Sequence, residues 1–104
     1  MNVEDVAASI TEPWEPVVLA EASGFQMKVV RLHGQFRWHV HERQDELFYC
    51  AEGTFRIEQI GAANHRLRPG DVFVVPAGRR HRPVAEAPAV AVLFEPAATK
   101  QYGD

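Results

Sequence analysis

Two histidines one residue apart, His39 and His41, precede a glutamate at position 46, and a further histidine stands at position 81. Imidazole nitrogens and carboxylate oxygens are the donors that hold first-row divalent metals. Read as an extended strand, Gln35–His41 sends Phe36, Trp38 and Val40 to one face and Gln35, Arg37, His39 and His41 to the other. The two imidazoles then stand about 6.7 Å apart on one side of the strand, so both rings can converge on one cation. A turn through Arg43-Gln44-Asp45 brings back a second strand that opens with Glu46. A hairpin partner of this kind can add an oxygen ligand beside the pair. Glu42 and Asp45 are further acids within reach of the same place. His81 follows a Pro76-Ala77-Gly78 turn and opens another strand, and it supplies a third imidazole if the two strand pairs face one another.

Short strands separated by turns must position these groups. Val17–Ala20, Phe25–Leu32, Gln35–His41, Glu46–Ala51, Thr54–Ile60, His65–Leu67, Val72–Val75, Arg80–Ala85 and Val90–Glu95 read as strands, largely β-branched or aromatic. Gly24, Gly34, Gly53, Gly61 with Asn64, Pro69-Gly70, Pro76-Ala77-Gly78 and Pro88 separate them. That alternation is the pattern of a β-sandwich or small barrel. Before it, Val3, Val6, Ala7 and Ile10 share one helical face, with Asn2 as N-cap and Asp5 at the capping-box spacing. So short a helix is unstable alone and must dock. Pro13 and Pro16 end it in extended chain.

The chain has 104 residues, a length for one domain, and its apolar share of 46% rules out wholesale disorder. One cysteine excludes a disulfide framework and any thiolate-rich metal site, so a metal must take nitrogen and oxygen ligands. Cys50 reads as a small buried thiol. A net charge of −3 argues against a nucleic-acid binder. That total is uneven: residues 1–21 form an arm with five acids and no Lys or Arg, while five arginines fall between Arg66 and Arg82. The N-terminus lacks the pattern of a signal peptide and no apolar run approaches a membrane span, so a cytoplasmic location without membrane contact is expected. His33 reads as a strand-end residue and His65 as exposed.

Together the two histidine segments resemble the cupin family. Its first motif is matched by Gly34, His39, His41, Glu46 and Gly53, with four residues after Gly34 where five are usual. Its second is matched by Gly70, Pro76, Gly78 and His81, and Ala85 stands where the family carries an asparagine that is not a metal ligand. The resemblance spans residues 34–85 of a single cupin domain covering 1–104. It implies an all-β, double-sheet jelly-roll barrel, here preceded by the short helix or arm, and a homodimer. It also selects Glu46 over Asp45 and Glu42, so that His39, His41, Glu46 and His81 would hold one divalent metal in the lumen. Three imidazoles and one carboxylate suit Fe, Mn, Ni, Cu or Zn rather than Ca or Mg.

Three functions fit that site. The first is a metal-dependent enzyme of oxygenase or isomerase type, for which the sequence offers no strong base beyond the ligands. The second is a binding or sensor module, and the third a structural metal in an interaction protein. Arg37 and Arg79 each precede a ligand histidine by two residues, which on regular strands aims both guanidinium groups at the pocket and favours a small anionic ligand. Phe48, two residues beyond Glu46, is the first aromatic expected to line an apolar pocket. The acidic arm, with Trp14 and Val17–Leu19, is expected to pack across a two-fold interface or to cover the outer sheet.

Overall fold

The computed structural model describes residues 1–103. It comprises one helix, α1 (Val3–Ser9), and seven strands: β1 (Val17–Ala22), β2 (Phe25–Gln35), β3 (Glu46–Glu52), β4 (Phe55–Gln59), β5 (His65–Leu67), β6 (Val72–Val75) and β7 (His81–Pro96). All pairings are antiparallel. One layer runs β1-β2-β7-β3-β6, and β4 carries β5 on one side and the start of β7 on the other. The result is the expected jelly roll, with β7 as the strand shared by both layers. No helix among the described residues is long and apolar enough to cross a membrane.

Alternation along the strands sorts the two faces. Val30 and Leu32 of β2, Phe48 and Cys50 of β3, Phe55 and Ile57 of β4, and Ala89, Ala91 and Leu93 of β7 share the inner core. Val29, Val90 and Val92 point to the opposite face and meet Ala7 and Ile10. Helix α1 therefore covers the outside of its own sheet, whereas Trp14 of the same arm packs against the inner core. Asn2 caps it as expected, its side chain accepting from Asp5 N–H at 3.0 Å.

Four local expectations are corrected. Gly34 is not a turn between strands, because β2 runs through it at φ +83° with a register shift between Leu32 and Gly34. Beyond Gln35 the chain leaves the ladder, so Gln35–His41 is no regular strand and keeps a single bridge, His39 to His81. Nor does the Arg43-Gln44-Asp45 turn close a hairpin: β3 pairs with β6 and β7 instead. Pro88 does not divide two strands either. Opposite His33 the register of β7 jumps from Ala89 to Ala85, leaving residues 86–88 as a bulge where no ladder donor is required. That bulge lets β7 bend from one layer to the other. Gly53 sits against this bend at φ +69°, where an added Cβ would lie 2.9 Å from the Pro88 carbonyl oxygen.

Candidate metal centre

His39 and His81 are direct partners across a two-bond backbone pair, with N···O distances of 3.1 and 2.9 Å, and their ring centroids are 4.4 Å apart. Gly78 N–H donates to the His41 carbonyl at 2.8 Å, tying the irregular stretch to the turn before β7. Glu46 enters from the first position of β3, on the inward parity it shares with Phe48 and Cys50. Asp45 is engaged elsewhere, since its carboxylate accepts from Ala77 N–H at 2.9 Å and fixes the turn after β6. Glu42 is exposed. His39, His41, Glu46 and His81 are all buried, and one donor atom from each lies within 4.8 Å of the others.

The ring orientations suit a metal. His39 Nδ1 lies 3.0 Å from the Arg37 carbonyl oxygen, and His81 Nδ1 lies 2.9 Å from that of Arg79. A carbonyl can only accept, so each Nδ1 carries the proton and each Nε2 turns a lone pair to the cluster. Such a second hydrogen bond is the usual support of a ligating histidine. Burial lowers the pKa of His39 to about 4, with the charges of His81, Arg37 and Arg80 acting in the same direction. Burial also lowers His81. Both are neutral at pH 7, the form that binds metal. His81 Nε2 lies 3.0 Å from Glu46 Oε1, and His41 Nε2 lies 3.6 Å from the same oxygen. A neutral imidazole lone pair facing a carboxylate oxygen needs a positive charge between them. Burial raises the Glu46 pKa, which lets a proton serve in that place, and a divalent cation serves better.

A cavity of about 40 Å³ adjoins the cluster. Phe48 lines it and meets the His81 ring edge-on at 6.1 Å. Arg37 and Arg79 are not among its lining residues. The alternation that aimed them inward requires regular strands, and the chain is irregular at both places. Arg37 is exposed, its guanidinium 5.1 Å above the Tyr102 ring. Arg79 donates to Gln59 Oε1 at 3.3 Å.

The cation in the cavity wall is instead Lys28, whose Nζ lies 3.0 Å from Glu95 Oε1. Glu95 is 3% exposed, and burial together with the nearby Glu46 carboxylate raises its pKa to about 7. Sequence reasoning passed over both residues, although parity carried the signal: Lys28 alternates with Val30 and Leu32, and Glu95 with Ala91 and Leu93. Two other wall residues gave no such signal. Trp14 hydrogen-bonds to β2 through its backbone N–H to Arg31 O at 2.9 Å and its Nε1 to His33 O at 3.0 Å. Gln101, from the C-terminal tail, donates to the Trp14 carbonyl.

Comparison with known proteins agrees with this geometry. A family model described as "Cupin domain" matches residues 28–95. A cupin-2 domain protein from Shewanella frigidimarina is 34% identical with a TM-score of 0.88, covering 92% of this chain and 93% of its own. Protein NMB1881 from Neisseria meningitidis is 31% identical with a TM-score of 0.85, covering 93% and 98%. Hydroquinone 1,2-dioxygenase PnpCD, solved in complex with Cd2+ and 4-hydroxybenzonitrile, is 24% identical with a TM-score of 0.78 over 93% of this chain and 72% of that one, and it shares the fold. The chain belongs to the cupin family.

Proposed function

We propose that His39, His41, Glu46 and His81 hold one divalent transition metal in the barrel lumen, and that the protein is a metal-dependent enzyme of oxygenase or isomerase type. The observation that carries this reading is the convergence of four buried donors within 4.8 Å, with His39 and His81 each held by a backbone carbonyl so that Nε2 points inward. When bound, Fe, Mn, Ni, Cu or Zn would supply Lewis-acid or, for the redox-active ions, oxygen-activating chemistry. The chain's own contribution is to orient a small molecule against Phe48 and Phe36, to exclude water with Trp14 and Gln101, and to present Glu95 as a carboxylate close to the ligands. Glu95 supplies the base position that an isomerase requires. Negative charge on the ligand would be drawn by Arg37, Arg79 and Arg80 outside the cavity rather than bound within it.

The fold relationship to a dioxygenase solved with Cd2+ and a phenolic ligand supports the oxygenase form. The small, covered cavity favours a second reading, a binding or sensor module that closes over its ligand. Elemental analysis of untagged protein decides the metal: about one equivalent of a transition metal is expected, lost in His39→Ala and His81→Ala. A metal-free protein that takes up none of these ions would end the proposal. Oxygen uptake or product formation on a substrate panel then separates the enzyme from the binding module.

We further propose a homodimer of single-domain, cytoplasmic chains. Phe25, Phe94, Tyr49, Val72 and Val74 are all at least 38% exposed. Phe94 and Val74 flank Leu47, and Tyr49 pairs with Val72, so these residues form a continuous apolar area beside α1. Exposed apolar area of this kind is typical of an interface. Sedimentation should give twice the chain mass, and a monomer at micromolar concentration would refute the dimer.

A further inference from the structure

The cavity wall is apolar except where His39 and Glu46 of the cluster, Gln101 of the tail, and Glu95 with Lys28 enter it. Phe48, Phe36, Leu32 and Leu93 form its sides, and Glu95 and Lys28 stand together at the polar end. Glu95 is almost wholly buried, and Lys28 occupies its Oε1. Its Oε2 is buried with no hydrogen-bond donor among the described residues. An acceptor left in that state is costly, more so when charged, so a cavity that keeps one is built for a group that donates to it. Lys28 spends one of its three N–H donors on Oε1, and Oε2 is the acceptor left without a partner.

We propose that this cavity selects a small molecule bearing a hydroxyl group on an apolar body, the hydroxyl donating to Glu95 Oε2 and the apolar body lying against Phe48 and Phe36. This inference rests on the functional reading above and names the ligand class for that same site. A carboxylate at that end has no hydrogen to donate to Glu95 Oε2 and is disfavoured there. A ligand's acidic group, where it has one, points to the mouth.

Size adds a condition. A benzene ring fills an apolar cavity of about 150 Å³, and this one measures about 40 Å³. Entry of a ring therefore requires the cover to move. Trp14 is fixed to β2 by two hydrogen bonds. Gln101 lies in the tail beyond β7 and holds to the cover through its bond to the Trp14 carbonyl. The tail, held by Gln101 and by the stacking of Tyr102 on Phe36 at 5.5 Å, is the part that can yield without breaking any strand pairing.

The test is calorimetric titration at pH 8 with phenol, toluene and benzoate as probes. Phenol and toluene have nearly the same shape, and only phenol donates. Wild-type protein is expected to bind phenol at least tenfold tighter than toluene, with benzoate weaker than phenol, because a site built to bond a hydroxyl discriminates strongly against its absence. The preference should fall below twofold in the double variant Lys28→Met with Glu95→Leu. Should that variant fail to fold, Glu95→Gln serves: its amide can turn a donor to the ligand, and the preference should fall severalfold. Equal binding of phenol and toluene, tightest binding of benzoate, binding of no probe, or a preference that survives substitution of Glu95 overturns the inference. Each titration is run on metal-loaded and on EDTA-treated protein. Phenol preference in a protein that takes up no metal would sink the metal proposal alone, whereas metal uptake without phenol preference would sink this inference alone.

Discussion

Replacing Glu95 by glutamine should change how stability depends on pH in the metal-free protein. The folded state raises the Glu95 pKa from 4.5 to about 7. A raised carboxyl pKa means that, as pH falls, the folded chain takes up the proton first. Its contribution is fully present below pH 4.5 and is lost as pH rises to about 7. At about 1.4 kcal/mol for each pH unit, that interval amounts to about 3 kcal/mol. His39 acts oppositely. Its pKa drops from 6.5 to about 4, so its contribution is present above pH 6.5 and is lost as pH falls to about 4. Glu46, raised, and His81, lowered, follow the same opposed directions. In wild-type protein the carboxyl and imidazole slopes therefore offset one another between pH 4.5 and 6.5. Glu95→Gln removes one carboxyl from that balance and leaves an amide that can still accept from Lys28. The variant should match wild type at pH 4.5 and exceed it by about 3 kcal/mol at pH 7.5, with a steeper loss of stability on acidification. Urea unfolding midpoints in EDTA, taken every half pH unit, measure this directly. Parallel curves for the two proteins would show that Glu95 is not a buried, desolvated carboxyl beside Glu46, and the account of the polar end of the cavity would fall with it.

Phe48→Ala should cost about 3–5 kcal/mol in urea unfolding, since the ring is 3% exposed and shares the inner core with Phe55 and Leu93; a loss below about 1 kcal/mol would mean that the core collapses around the gap. Gly53→Ala should destabilise by more than about 1 kcal/mol, because φ is +69° and the new methyl would approach the Pro88 carbonyl to 2.9 Å; an unchanged Tm would refute the tight bend at β7. Val74→Lys with Phe94→Lys should give a folded monomer in sedimentation, both residues being 45% exposed; retention of a dimer would place the interface elsewhere.

The metal cluster was legible because its recognition needs no regular strand. The resemblance to the cupin motifs selected His39, His41, Glu46 and His81, although the hairpin that was to bring them together does not form. A bridge between His39 and His81 and the inward parity of β3 do the work instead. The reading of Arg37 and Arg79 depended on regular alternation, and it fails where the backbone departs from the ladder. Those same two residues still matter through their main chains, since their carbonyls set the tautomers of His39 and His81. Side-chain identity at these two positions is thus uncoupled from the backbone role. The mouth was hidden for a different reason. Trp14 and Gln101 lie 87 positions apart on segments without periodicity, and their contact depends on how both ends of the chain cross the finished barrel.

Glu95 and Lys28 mark the boundary between these cases. Each sits beside inward residues of its own strand that are apolar, Val30 and Leu32 for Lys28 and Ala91 and Leu93 for Glu95, and a lone charge there conflicts with its surroundings. Only the register, which sets Lys28 opposite Leu93 and Gln26 opposite Glu95, shows that the two charges lie close enough to pair. The pair alone explains why one oxygen of Glu95 is satisfied. It does not explain why the second is buried without a donor, in a carboxyl group that also lies close to Glu46, which makes the arrangement less favourable rather than more. Strain of that kind persists where another group relieves it. A cation among His39, His41, Glu46 and His81 would relieve the repulsion from one side, and a donating hydroxyl would relieve it from the other. Metal and ligand should then bind cooperatively, each lowering the cost that the other would meet alone.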